Sequence, residues 1–108
     1  MKNVAFAYSQ ALAGYKARAA RGDSSSMRNL GLMYLNGQGV PRNPREALRW
    51  FVKAADAGDS DSMLILGEMH VNGVGTPRNP DAARGFFARA AAAGREEARS
   101  WMEKLERK

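Results

Sequence analysis

Residues 23–58 of this chain read DSSSMRNLGLMYLNGQGVPRNPREALRWFVKAADAG, and the next 36 residues, 59–94, read DSDSMLILGEMHVNGVGTPRNPDAARGFFARAAAAG. The two stretches are identical at 20 of 36 positions, including the complete string Pro-Arg-Asn-Pro. Self-similarity at a fixed period of this length is the sequence signature of stacked structural repeats. We therefore expect one repeat domain spanning all 108 residues.

The same 36-residue offset extends beyond the two full units. Upstream it places Ala11, Leu12 and Tyr15 opposite the Ala, Leu and Phe of the string Ala47-Leu48…Phe51, so residues 1–22 are predicted to be the second half of a unit. Downstream the match is weaker, and it stops where Glu103 replaces the repeat glycine. Residues 95–108 are therefore predicted to be a C-terminal capping helix.

Each unit contains residues that typically begin and end two helices. Asp23 or Ser24 is suited to cap a first helix, and Asn43 is suited to cap a second helix with Pro44 at its first position. A glycine inside the first helix, Gly31, costs about 1 kcal/mol relative to alanine, which is understandable if another helix passes too close for a side chain. Six helices are predicted, over residues 3–21, 24–36, 44–57, 60–72, 80–93 and 96–106.

The predicted fold class is all-α. Helical periodicity places Met27, Leu30, Gly31 and Tyr34 on one face of the first helix, and the second helix has an equivalent apolar stripe. Each helix pair would rest on the next in a right-handed α-α superhelix, or solenoid, of about six antiparallel helices.

The string Leu30-Gly31, Tyr34, Gly37, Gly39-Val40, Ala47, Trp50-Phe51, Ala54-Ala55 and Gly58 resembles the Sel-one-like repeat family, solenoids related to the tetratricopeptide repeats. The resemblance covers nearly the whole chain. His70 stands at the tyrosine position of the second unit and Thr76 at the valine position, neither of which disturbs the fold. Some secreted members of the family carry paired cysteines in each repeat, and this chain has none, which weakens any transfer of their reported penicillin-binding activity.

The resemblance implies an adaptor or scaffold whose first helices line a concave surface that binds a peptide or a partner domain. Residues beside the core stripe of those helices should point into this groove and would suit an apolar peptide or helix. The predicted partner-binding residues are Arg28, Leu32, Leu35, Leu64, Glu68, Val71, Trp101 and Lys104. An alternative for Trp101 is that it covers the end of the core as a hydrophobic lid, because terminal repeats commonly depart from the pattern.

The chain carries a formal net charge of +6, which allows a second function. No block of five basic residues occurs, so a solvated exterior is the simpler interpretation, with binding of nucleic acid or another acidic surface as the alternative. The basic residues of the predicted second helices and their preceding loops would carry that alternative. They are Arg42, Arg45, Arg49, Lys53, Arg78, Arg84 and Arg89.

Catalysis, metal binding and cofactor binding are not expected. There is no cysteine, and the single histidine, His70, occupies a core position with no second histidine to act with it. The strings Gly37-Gln38-Gly39 and Gly73-Val74-Gly75 end helices and lack the Gly-Lys-Ser/Thr of a phosphate-binding loop.

The partner is expected to be another protein or a peptide, and apolar helix ends would also allow a homodimer. The apolar segments are far shorter than the roughly 18 residues needed to span a bilayer, so a soluble protein is predicted. The absence of cysteine is compatible with a reducing compartment, and a cytoplasmic location is predicted. The alternative is a periplasmic location with residues 1–13 acting as a signal peptide, although Tyr8, Ser9 and Gln10 interrupt that apolar stretch.

Overall fold

The computed structural model describes residues 4–107, which form six α-helices and no β-strand. The helices are α1 (Val4–Ala19), α2 (Ser24–Asn36), α3 (Pro44–Asp56), α4 (Ser60–Asn72), α5 (Pro80–Ala92) and α6 (Glu97–Glu106). The predicted all-α fold is confirmed. Helices α2 and α4 have the predicted bounds, and the other four begin or end one or two residues inside theirs. Residue 3 lies outside the described range.

The second helix of each full unit begins at the predicted Asn-Pro pair. The side chain of Asn43 accepts a hydrogen bond from the backbone N–H of Glu46 at 3.1 Å, and Asn79 does the same for Ala82. Each asparagine thereby satisfies one of the N–H groups that a helix start leaves without an intrahelical partner. The proline that follows occupies the first helical position, where its missing N–H does no harm.

The first helices of the two units begin with aspartate and end with glycine. Asp59 accepts hydrogen bonds from the backbone N–H and the hydroxyl of Ser62, at 3.0 and 2.6 Å. Asp23 instead accepts from the hydroxyls of Ser25 and Ser26. At the other end Gly37 has φ of +68°, a backbone conformation that side chains with a Cβ rarely adopt, and it ends α2.

The two helices of each unit meet at the glycine inside the first helix, which is Gly31 in one unit and Gly67 in the next. A Cβ atom on Gly31 would lie 2.6 Å from the Phe51 ring, and one on Gly67 would lie 2.4 Å from the Phe87 ring. Both aromatic side chains are fully buried. The close helix approach predicted from the cost of a mid-helix glycine is therefore present in both units, with a phenylalanine ring filling the space.

The helices stack in chain order into an elongated body of 51 × 24 × 22 Å. Each helix packs chiefly on its chain neighbours, and the buried core continues from one unit into the next through residues such as Phe51, Leu66 and Phe87. No helix within residues 4–107 combines the length and the apolar character needed to cross a membrane.

Candidate protein-interaction surface

The predicted partner-binding residues are distributed over α2, α4 and α6, the first helices of successive units. Four of them are half-buried against the core, because the side chains beside the core stripe curve back onto neighbouring helices. These four are Leu32, Leu35, Val71 and Trp101. Glu68 and Lys104 are exposed. The first helices thus present apolar side chains that are part core and part surface, next to exposed charges.

Leu64 differs from the expectation that it lies open in the groove. Its side chain is only 7% exposed and belongs to the core. α4 stands inside the stack, with helices packed on both sides of it, so its buried arc is wider than the stripe that helical periodicity indicates. Leu64 therefore supports the surface from beneath and offers little area to a partner.

Arg28 occupies the position equivalent to Leu64 in the preceding unit, and it bridges to the next first helix. Its guanidinium lies 2.6 Å from an Asp59 carboxylate oxygen and 3.4 Å from Asp61. Asp61 in turn accepts a close hydrogen bond from Arg95, which precedes α6. We call these four residues the charge ladder, because they connect the starts of three successive first helices.

The charge ladder was not predicted from the sequence. The two residues of each ion pair are 31 to 34 positions apart in the sequence, which is close to one repeat length. Opposite charges at this spacing are the sequence signal that could have revealed the charge ladder. Two residues at the start of α6, Arg95 and Glu97, have shifted pKa values. The helix-start backbone N–H and then Arg95 hold the pKa of Glu97 below its ordinary value, while Glu97 and Asp61 raise the pKa of Arg95.

Trp101 packs on the end of the core and also keeps part of its surface in solvent. Its ring stacks on Phe87 with a centroid distance of 5.3 Å and an interplanar angle of 6°, which is the lid arrangement. The side chain nevertheless keeps part of its surface in solvent, and the Lys104 ammonium lies 5.1 Å from the ring centroid. Trp101 therefore closes the core and also contributes an aromatic surface beside a positive charge.

Six of the seven basic residues of the alternative function make contacts within the protein. Arg42 and Arg78 each donate from Nε to a backbone carbonyl at the end of the preceding first helix, at 3.0 Å. The remaining contacts are ion pairs or cation–π contacts within the second-helix layer. They are Arg49 with Glu46, Arg84 with Asp81, Arg89 with Asp56, and Lys53 over the Trp50 ring. Arg45 is exposed.

His70 has a structural partner. Its Nδ1 lies 2.8 Å from the carbonyl oxygen of Leu66 one turn earlier, so this nitrogen carries the proton and donates it. The ring also contacts Phe86, with a centroid distance of 5.2 Å. These contacts account for its place at the tyrosine position of the second unit.

A cleft of about 190 Å³ between α1 and α2 was also not predicted. Its walls include Tyr8, Ala11 and Tyr15 from α1 and Leu32 and Met33 from α2. We call it the N-terminal cleft. The sequence signal for it was the leading half unit, because α1 corresponds to a second helix and no first helix precedes it within residues 4–107.

Helices paired around a mid-helix glycine and stacked at a 36-residue period define the molecule as an α-solenoid of the repeat type. The Sel1 repeat model matches residues 24–59 and 60–94, so the chain belongs to the Sel1 repeat family. Sel1 repeat proteins are generally protein-interaction scaffolds and are typically non-catalytic.

Three solved structures share the fold. A Sel1 repeat protein from Oxalobacter formigenes is 32% identical with a TM-score of 0.83, over 87% of this chain and 39% of its own. The cysteine-rich protein B of Helicobacter pylori is 29% identical with a TM-score of 0.79, over 82% of this chain and 67% of its own.

The third structure is c5321, a protective antigen of uropathogenic Escherichia coli strains. It is 28% identical with a TM-score of 0.85, over 94% of this chain and 24% of its own. The chain thus spans about two fifths of the Oxalobacter protein and a quarter of the E. coli antigen. No curated protein matches it.

Proposed function

We propose that this chain is an interaction scaffold that binds a peptide or a partner domain on the surface formed by α2, α4 and α6. The observation that carries the proposal is the row of half-buried apolar side chains on these helices, flanked by exposed charges. Partially buried apolar and aromatic side chains are already ordered, so a partner gains contact area at a small cost in side-chain entropy.

The surface residues in this proposal are Arg28, Leu32, Leu35, Glu68, Val71, Trp101 and Lys104. Glu68 and Lys104 are equivalent positions on successive first helices, and both are exposed. A partner that lies across the first helices would meet a negative charge and then a positive one. This alternation favours a partner with the complementary order of charges.

The test is a pair of charge reversals on this surface. We expect the double variant Glu68→Lys and Lys104→Glu to fold like the wild type, since both side chains are exposed, and to lose the partners that wild-type protein retains from the native cell. Partners would be identified by affinity purification and mass spectrometry. The matched control is Arg45→Glu, a reversal at an exposed position of a second helix, which should retain them.

The opposite result would contradict the proposal. If Arg45→Glu loses the partners and the double variant retains them, binding occurs through the second helices. Binding of nucleic acid there would weaken steeply with rising salt in a mobility-shift titration. The contacts of Arg42, Arg78 and Arg89 within the protein support the scaffold function over this alternative.

A further inference from the structure

The glycine inside α5 has no packing partner, unlike the glycines inside the first helices. A Cβ atom on Gly31 or Gly67 would meet a buried phenylalanine ring, whereas a Cβ atom on Gly85 would have nothing within 4 Å. Gly85 lies in the middle of α5, where glycine is less favourable than any residue except proline. The equivalent position of α3 is occupied by Arg49. Packing within the protein therefore does not explain the glycine at residue 85.

Gly85 lines a shallow cavity on the outer face of α5. The cavity has a volume of about 230 Å³ and is lined by Ala82, Gly85, Phe86 and Arg89. These residues follow the spacing i, i+3, i+4 and i+7, so they share one face of the helix. A volume of about 150 Å³ is enough to hold benzene inside a protein, so this cavity has room for a bulky apolar side chain. We call it the Gly85 cavity.

The equivalent face of α3 shows what distinguishes the Gly85 cavity. Ala82 and Gly85 stand where α3 has Glu46 and Arg49, which form an ion pair at 3.6 Å. The cavity on α3, of about 380 Å³, is therefore lined by a carboxylate and two cations. Among the residues that the structure describes, those lining the Gly85 cavity include no carboxylate, and Arg89 is the charged one.

Arg89 gives the Gly85 cavity a positive charge in a defined position. Its guanidinium carbon lies over the Phe86 ring, 5.6 Å from the centroid. Its Nη2 donates to the carbonyl oxygen of Ala55 and to the carboxylate of Asp56, at 3.3 and 3.2 Å. Nε and Nη1 have no hydrogen-bond partner among the described residues. Arg89 can therefore donate to an incoming carboxylate while its contacts with the end of α3 stay in place.

The charge of the surrounding helices favours an acidic occupant. Helices α1, α3 and α5 contain seven Lys and Arg residues and three Asp and Glu residues. Helices α2, α4 and α6 contain three and five, respectively. The positive charge of the helices is thus concentrated in the layer that includes α5. Such a layer attracts acidic partners and repels basic ones.

A nucleobase is a poorer occupant than a segment that carries carboxylates. Stacking of bases on an aromatic side chain needs an accessible ring face. The Phe86 ring is contacted by Arg89 and also by His70, at a centroid distance of 5.2 Å. In the preceding unit the Lys53 ammonium lies 4.7 Å from the centroid of the Trp50 ring. Because a cation already lies over the ring in both units, the observations favour an acidic polypeptide.

We propose that the Gly85 cavity is a second docking site, separate from the surface of α2, α4 and α6, and that it binds an acidic polypeptide segment of a partner. A bulky apolar side chain of the segment occupies the space over Gly85 and contacts Phe86. A neighbouring carboxylate of the segment pairs with Arg89. The glycine at residue 85 keeps this space open, because any longer side chain there would fill the cavity.

The test is an NMR titration of the full chain with a synthetic peptide, blocked at both ends, in which one phenylalanine is flanked by glutamates. We expect saturable shifts of the backbone amides of residues 82–89, with a Kd of about 10⁻⁴–10⁻³ M that rises with salt. A peptide with serine in place of the phenylalanine should bind about fivefold more weakly or worse, and so should one with glutamines in place of the glutamates.

Two chain variants at equivalent positions form the matched pair. Gly85→Leu places a side chain in the cavity and should weaken binding by about tenfold or more. Its thermal unfolding should show a protein at least as stable as the wild type, because leucine favours the helix and meets no neighbour. Arg49→Leu, at the exposed equivalent position of α3, should leave binding unchanged. Weaker binding by a variant that is no less stable separates binding from folding.

Three outcomes would overturn the proposal. One is the absence of saturable shifts at residues 82–89 up to about 10 mM peptide. Another is equal binding of the peptide by Gly85→Leu and the wild type. The third is a tighter response of the same amides to single-stranded oligothymidine, which would identify a nucleic acid as the occupant.

Discussion

At the scale of single residues, the glycine–phenylalanine pair within each unit shows how a missing side chain determines a helix separation. Gly31 and Gly67 weaken their own helices, yet each receives a buried ring where any Cβ would be too close. The free energy lost in helix propensity is offset by the burial of Phe51 and Phe87. Two glycines in otherwise similar helices should therefore respond in opposite ways to the same substitution.

We expect Gly67→Ala to lower the free energy of unfolding by about 1–3 kcal/mol, because the methyl group overlaps the Phe87 ring. Gly85→Ala, in helix α5, should raise it by about 0.5–1 kcal/mol, because nothing lies within 4 Å of its added Cβ and alanine favours the helix. Urea denaturation followed by circular dichroism measures both. Stabilisation by Gly67→Ala would show that the Phe87 ring can move aside.

The residue scale is also where sequence reasoning was least reliable. The close approach at Gly31 could be predicted because a mid-helix glycine is energetically unusual. The burial of Leu64 could not, because helical periodicity gives the direction of a side chain and not the number of helices that surround it. Arg28, at the equivalent position of the first unit, is partly exposed and paired with Asp59, a contact that depends on the separation of successive helices.

At the scale of helices, the boundaries could be predicted where the chain carries explicit start and stop chemistry. Asn43-Pro44 and Asn79-Pro80 begin α3 and α5 at the predicted residues. Helix α6 has no such signal, since its N-cap residue Glu96 makes no side-chain capping hydrogen bond, and it begins one residue later than predicted. Explicit capping residues thus locate the starts of α3 and α5, and α6 lacks them.

The start of α2 gives a pH-dependent prediction. The hydrogen bond from the Ser26 hydroxyl, with smaller effects of Ser25 and Arg18, holds the pKa of Asp23 below its ordinary value. A carboxyl whose pKa is lowered by folding stabilises the fold above its unfolded pKa, and this stability is lost as the pH falls through the folded pKa. The contribution should therefore be present at neutral pH and absent in strong acid.

We expect Asp23→Ala to be less stable than the wild type at neutral pH, with the difference shrinking as the pH falls below about 4. Thermal unfolding of both proteins across this pH range measures the difference. A difference that persists unchanged to about pH 2 would show that the ionised carboxylate of Asp23 is not what stabilises the start of α2.

At the scale of the whole molecule, stability is distributed along a line of neighbouring helices. The 36-residue period was enough to predict this stack, because each unit can bury its apolar stripe only against the next. The period could not reveal how each end is covered. That depends on residues that depart from the repeat, such as Trp101 on Phe87 and Tyr15 in the N-terminal cleft.

Substitution of a single residue at one end of the stack should therefore destabilise only the helices near it. We expect Trp101→Ala to uncover Phe87 and to reduce amide hydrogen-exchange protection in α5 and α6 by about tenfold or more, while α2 and α3 keep theirs. Exchange monitored by NMR distinguishes the two halves. The control is Ser100→Ala, at an exposed neighbouring position, and a uniform loss of protection along the chain would contradict this expectation.

The charge ladder adds a salt-sensitive contribution to the contacts between successive first helices. Arg28, Asp59, Asp61 and Arg95 tie the starts of α2, α4 and α6 together through contacts that remain partly open to water. Salt weakens such contacts, whereas the glycine–phenylalanine packing inside each unit is not electrostatic. Raising the ionic strength should therefore weaken the Arg28–Asp59 and Arg95–Asp61 pairs, while the apolar core that joins the units stays in place.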